Sequence, residues 1–150
     1  MEPLKPGDNA PNWSLPGTDG AEHSANELAG KRYVIYFYPR DNTPGCTREA
    51  CDFRDSFGRV QALGVPVFGV STDSLKRHAS FSAKYELPFT LLTDPERKAV
   101  KAFGADKGGS SARRMTFIVG PDGTIEAAWP KVKVRGHVDE VLARLEELHG

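Results

Sequence analysis

Apolar residues fall along this chain in two alternating patterns. Tyr33-Val34-Ile35-Tyr36-Phe37-Tyr38 is an unbroken β-branched and aromatic run ended by Pro39, which predicts a strand buried on both faces. Val65 to Val70 and Met115 to Val119 are runs of the same kind. Thr124 to Trp129 follows across the turn signal Pro121-Asp122-Gly123, so the last two strands are expected to pair antiparallel. Between these runs the period lengthens. Cys46, Ala50, Phe53, Phe57 and Val60 recur at spacings of three and four and predict one helix over Pro44 to Leu63. Ser74 to Tyr85, Pro95 to Phe103 and Val138 to Leu148 are three further helices on the same criterion. Upstream, Asn12 to Leu15 and Ala21 to Ser24 flank Pro16-Gly17-Thr18-Asp19-Gly20, which reads as a short N-terminal β-hairpin. Strands alternating with helices predict an α/β fold with a central mixed sheet.

Length and charge narrow the picture. At 150 residues the chain is expected to form one domain, 1–150, with a core that needs no covalent staple. Twenty basic and twenty acidic side chains cancel, so nucleic acid and anionic membranes are not expected partners. Met1 to Asp8 lacks a basic region followed by an apolar run, and no apolar stretch approaches the roughly 20 residues that span a membrane. The expected address is the cytoplasm, where thiols start reduced. Cys46 and Cys51 are too few for a disulfide framework, and a bridge closing so short a loop stabilises little. The pair is either incidental or chemical.

The segment from Tyr38 to Cys51 carries the candidate chemistry. Thr43 reads as a helix N-cap and Pro44 as the first helical position, which makes Cys46 the third. A sulfur there faces unpaired backbone N–H groups and the positive end of the helix dipole. A free cysteine, with a pKa near 8.5, is only a few per cent thiolate at neutral pH. The helix end supplies about 0.3–1 kcal/mol, or up to about 2 when partly buried, so a thiolate nucleophile needs a further cation or hydrogen bonds. Thr43 offers one hydrogen bond, and an arginine is the best cation because it keeps its charge. From spacing alone, a buried and inert Cys46 remains an open alternative.

Pro39-x3-Thr43-x2-Cys46 resembles the peroxidatic-cysteine motif of the peroxiredoxins. Thr43-Pro44-Gly45-Cys46-Thr47 with a second cysteine at Cys51 is similar to their Q-type subfamily, the bacterioferritin comigratory proteins. Gly69-Val70-Ser71-Thr72-Asp73, Phe89 to Asp94 and Gly136 to Leu142 resemble further segments of that subfamily, in order, so the likeness covers nearly the whole chain. The resemblance implies a thioredoxin-like fold, a hydroperoxide substrate, a thioredoxin-like dithiol reductant and a monomer. It implies that Cys46 is oxidised to a sulfenic acid and that Cys51 resolves it as an internal disulfide. It also implies that Arg114 holds the thiolate and polarises the peroxide, that Pro39 shields the sulfur and that Thr43 orients the substrate. The neighbouring Arg113 falls outside the pattern. One departure is the Gly- and Ser-rich stretch from Gly104 to Arg113, which is shorter than in many members and borders the substrate entrance.

Helix geometry adds a condition. Five residues of α-helix rise about 7.5 Å and place the two Cα atoms about 8.6 Å apart, whereas a disulfide needs less than about 7 Å. Part of the helix from Thr43 to about Arg54 must therefore unwind when the disulfide forms, and Gly45 eases that.

The remaining signals are weak. Cys-x4-Cys is not the Cys-x2-Cys of a thioredoxin-type reductase. His23, His78, His137 and His149 lack ligand spacing, so no metal and no other cofactor is expected. Lys107 to Ser111 reads as a flexible loop without P-loop spacing, and Lys131 to Arg135 as a half-exposed extended segment. Two alternatives stay open beside the two-cysteine peroxidase: a one-cysteine peroxidase resolved by an external thiol, and a thioredoxin-fold binding module with an inert Cys46.

Overall fold

The computed structural model describes residues 2–106 and 111–149. Five strands form the central sheet in the order β5-β4-β3-β6-β7. β3 (Tyr33–Phe37) lies at its centre, parallel to β4 (Val67–Ser71) and antiparallel to β6 (Met115–Val119). β5 (Thr90–Thr93) extends the parallel side, and β7 (Ile125–Trp129) extends the antiparallel side through the expected hairpin. The sheet is mixed, as its sequence pattern requires. β1 (Ser14–Pro16) and β2 (Glu22–Ser24) form the N-terminal hairpin, a separate two-stranded sheet.

Both faces of β3 are covered. Tyr33, Ile35 and Phe37 pack on one side with Trp13, Phe68, Phe103 and Phe117. Val34, Tyr36 and Tyr38 pack on the other with Cys46, Ala50, Phe53, Phe81 and Leu142. This second face carries α1 (Pro44–Asp55), α2 (Phe57–Ala62), α3 (Leu75–Tyr85) and α5 (His137–His149). α4 (Lys98–Ala102) covers the first face. Among the described residues no helix is long and apolar enough to cross a membrane.

The structure corrects three expected boundaries and adds one strand. The helix expected over Pro44 to Leu63 is two helices that break at Ser56 (φ −103°, ψ 9°). Ser56 and Gly58 are weak helix formers. The apolar period runs through the break, because Val60 is buried and Phe57 packs against the same cluster as Phe53. The fourth helix starts at Lys98, since Arg97 takes a left-handed conformation and the Asp94 carboxylate accepts from the N–H groups of Lys98 and Val100. β4 begins after Pro66, at Val67. β5 had no strand assignment from the sequence. The Lys131 to Arg135 segment alternates between exposed and half-buried positions as expected, and lies outside the strands. Of the loop expected over Lys107 to Ser111, residues 107–110 lie outside the described residues.

Candidate active site

The site forms where β3 ends and α1 begins. Tyr38 continues β3 by donating its N–H to Val70 O, and half-buried Pro39 follows. The next turn is held from below. Tyr38 Oη donates to Asp41 Oδ1 at 2.6 Å, His78 Nδ1 lies 2.6 Å from Asp41 Oδ2, and the Asp41 N–H donates to Asp73 Oδ2 at 2.7 Å. Asp41 and His78 are both fully buried. His78 Nε2 lies 2.9 Å from Leu92 O, a group that only accepts, so Nε2 carries a hydrogen and donates it there. This cluster ties the loop to α3 and β5. Asn42 takes a left-handed conformation (φ 64°), which asparagine tolerates, and turns the chain into the helix.

Thr43 occupies the N-cap and Pro44 the first helical position, as expected. The Thr43 hydroxyl does not cap the helix. It donates to Arg40 O at 3.0 Å, so the expected bond to Cys46 is absent from this geometry, while the hydroxyl oxygen keeps lone pairs. Cys46, at the third helical position, is a free thiol and 2% exposed. Cys51 is half-buried one and a half turns further on. Burial pushes the Cys51 thiol up from its ordinary pKa, with Arg54 opposing and Asp55 and Asp52 reinforcing the rise.

Arg114, immediately before β6, reaches over the start of α1. Its Nη2 lies 2.9 Å from where a Cβ at Gly45 would sit, so the helix accepts the guanidinium there because residue 45 has no side chain. Burial works against its charge, but Cys46 and then Glu49, through charge and hydrogen bonding, raise its pKa above the ordinary arginine value. The neighbouring Arg113 points outward, and its N–H donates to Ala105 O. Of the five residues named from sequence, the structure brings Cys46 and Arg114 into direct interaction, with Thr43 as the cap of the same helix. Pro39 stands at the strand end, and Cys51 lies on the far side of the intact helix turn.

Sequence reasoning missed Glu49 and His137. Glu49 is 0% exposed, one turn after Cys46, and its Oε1 accepts from Arg114 Nη1 at 3.1 Å. Among the described residues its Oε2 has no hydrogen-bond partner, and His137 Nε2 stands 3.8 Å away. Burial, only partly offset by Arg114, pushes the Glu49 carboxyl up to about 7. His137, at the start of α5, pairs through Nε2 with Thr116 Oγ1 at 2.7 Å, and burial followed by the Arg114 charge pushes it down to about 4. The Cys46-x2-Glu49 spacing puts both residues on one helix face. That signal was available in the sequence, but a glutamate in a first helical turn is ordinarily solvated.

Among the described residues, Asp41, Asp73 and His78 form the one cluster with metal-ligand chemistry, their ligand atoms lying within 4.8 Å of one another. Those atoms already serve Tyr38, Ser71, Arg77, Leu92 and the Asp41 N–H, so the cluster acts as a loop anchor. The site's own chemistry is that of a buried sulfur nucleophile facing a cation and helix N–H groups.

The AhpC/TSA family profile matches residues 6–128. The chain is 45% identical over 149 residues to the putative peroxiredoxin bcp of Coxiella burnetii, covering 95% of this chain and 99% of that one. It is 41% identical over 149 residues to peroxiredoxin Bcp of Bacillus subtilis, covering 95% of each. A structure of the Xanthomonas campestris bacterioferritin comigratory protein, from work on its alkyl peroxide reduction activity, superposes with a TM-score of 0.86 at 37% identity over 92% of both chains. The chain therefore belongs to the AhpC/TSA family and is a thiol-dependent peroxidase of the Bcp, or Q-type, peroxiredoxins.

Proposed function

We propose that Cys46 is the peroxidatic residue and Cys51 the resolving residue of an intramolecular cycle. The Cys46 thiolate attacks the distal oxygen of a hydroperoxide and the O–O bond breaks. The leaving oxygen takes the electron pair and a proton, giving an alcohol or water. Arg114 and the Cys46 N–H stabilise the charge on that oxygen, as oxyanion donors do. Pro39 shields the sulfur from water, and the lone pairs of the Thr43 hydroxyl, whose hydrogen goes to Arg40 O, orient the peroxide by accepting from it. The Cys51 thiol then attacks the Cys46 sulfenic acid, so that the disulfide forms and water leaves. The break at Ser56 supports this second step, because α1 can unwind over its first two turns while α2 keeps Val60 packed. A thioredoxin-like dithiol restores the thiols. The substrates are hydrogen peroxide and organic hydroperoxides, a reading supported by the alkyl peroxide activity of the Xanthomonas campestris relative. The protein works as a monomer in the cytoplasm.

The observation that carries this reading is the position of Arg114, whose guanidinium engages Cys46 and Glu49 above the side-chain-free Gly45. Stopped-flow oxidation of reduced protein tests it. Cys46→Ser abolishes the fast phase, and Arg114→Met slows it by about 10²–10³-fold, the usual effect of removing one oxyanion donor. Arg114→Met at the wild-type rate would remove Arg114 from the mechanism.

A further inference from the structure

We propose that Glu49 is a redox-linked proton carrier, balancing Arg114 with its carboxylate whenever Cys46 is no longer an anion. This rests on the peroxidase reading above and extends it to the proton that the leaving oxygen must acquire.

The geometry sets the requirement. Among the described residues, Arg114 is the cation in contact with two acids, Cys46 on its one side and Glu49 on the other. Both acids are buried, so the pocket is close to neutral only when one of them is charged. Among the described residues, the other groups facing Glu49 do not supply a second positive charge. Tyr36 on β3 is a buried phenol whose hydroxyl has no hydrogen-bond partner among the described residues, and burial raises it well above its ordinary pKa. Asp52, on α1, adds negative charge. His137, on α5, is held neutral at working pH by burial and by Arg114.

In the reduced enzyme the thiolate balances Arg114 and Glu49 carries a proton. Because Oε1 accepts from Arg114, that proton sits on the unpartnered Oε2, facing His137 Nε2 3.8 Å away. Oxidation turns the thiolate into a neutral sulfenic acid, and Glu49 then ionises to balance Arg114. The step is Cys46–S⁻ + ROOH + Glu49–COOH → Cys46–SOH + ROH + Glu49–COO⁻, with one oxygen atom passed to sulfur and the Glu49 proton offsetting the one taken by the leaving oxygen. Glu49 acts through Arg114 and is a positioning residue. Its pKa, raised by burial to about 7, fits a group poised between these two states.

Proton counting tests the assignment. In Cys51→Ser the reaction stops at the sulfenic acid with the helix in place. With one equivalent of peroxide in weakly buffered indicator solution at about pH 6.5, Cys51→Ser alone draws little proton from solution, because Glu49 supplies it. Cys51→Ser/Glu49→Gln draws about one proton more per sulfenic acid formed. Equal uptake by the two proteins overturns the proposal. If the glutamine variant does not fold, infrared difference spectra of Cys51→Ser decide the question. Loss of a protonated-carboxyl band on oxidation supports the proposal, and its persistence overturns it. Absence of any sulfenic acid would instead count against the peroxidase assignment of Cys46, so the two failures are distinct.

Discussion

In Gly45→Ala, the added methyl carbon meets Arg114 Nη2 at 2.9 Å. Comfortable packing needs about 3.5–4 Å, so the guanidinium must retreat by roughly 0.5–1 Å. It is the far end of a flexible side chain, and the retreat costs little folding energy. Alanine is also the better helix residue, by roughly 0.5–1 kcal/mol. The backbone at Gly45 lies outside the left-handed region, so alanine introduces no strain there. Thermal unfolding of the reduced variant is therefore expected at or slightly above the wild-type midpoint. The rate behaves differently, because displacing a catalytic group by about 1 Å can cost as much as 10²-fold. Oxidation of Cys46 is expected to slow by about 10–100-fold, a barrier increase of about 1.4–2.7 kcal/mol. The assay is single-turnover oxidation in a Cys51→Ser background, which isolates attack on the peroxide from helix unwinding. An undiminished rate with preserved stability would refute the claim that Gly45 makes room for Arg114 at its working position.

Other consequences follow from the same geometry. Glu49, raised from 4.5 to about 7, holds its proton more tightly folded than unfolded, so its contribution is present at low pH and lost as pH rises through that window, by about 3 kcal/mol. His137, lowered from 6.5 to about 4, has the opposite sign, and its contribution of similar size is lost as pH falls from 6.5 to 4. The two nearly cancel between pH 4.5 and 6.5. In urea titrations across pH, the stability of Glu49→Gln should therefore rise relative to wild type as pH increases from 4.5 to 7, whereas parallel curves would contradict the burial argument. His78→Leu leaves Asp41 Oδ2 buried without the imidazole it pairs with, while Tyr38 still serves Oδ1, and should cost about 3–5 kcal/mol. Adding Asp41→Asn should recover part of that loss, and no recovery would remove the pairing as its cause. Hydrogen exchange of the α1 amides should accelerate on oxidation of wild type and stay slow in oxidised Cys51→Ser, and equally slow exchange in both would rule out unwinding.

The sheet was legible because β3, β4 and β6 are buried on both faces and read as unbroken apolar runs. β5 escaped notice because Thr90-Leu91-Leu92-Thr93 is only four residues long and flanked by Pro88 and Pro95. The division of the long helix escaped for the opposite reason, since the three-and-four spacing continues across Ser56 even though the helix does not. At the site, cap chemistry placed Cys46 at the third helical position from local sequence alone, and its catalytic role was named through the resemblance. Arg114 was named only through the resemblance, because it is 68 positions away and nothing local separates it from Arg113. Glu49 and His137 depend on a charge buried between α1, α5 and β6, which no periodicity records. The Asp41–His78 anchor is long-range in the same way.

The most direct test of the central claim is intact mass after one equivalent of hydrogen peroxide, on wild type and on Cys51→Ser. The account predicts that wild type loses two hydrogens as the Cys46–Cys51 disulfide forms, while the variant gains oxygen on Cys46. Rapid gain of oxygen by wild type with no internal disulfide would leave a one-cysteine peroxidase and contradict the resolving role of Cys51. No fast change in either protein would contradict the assignment of Cys46 itself.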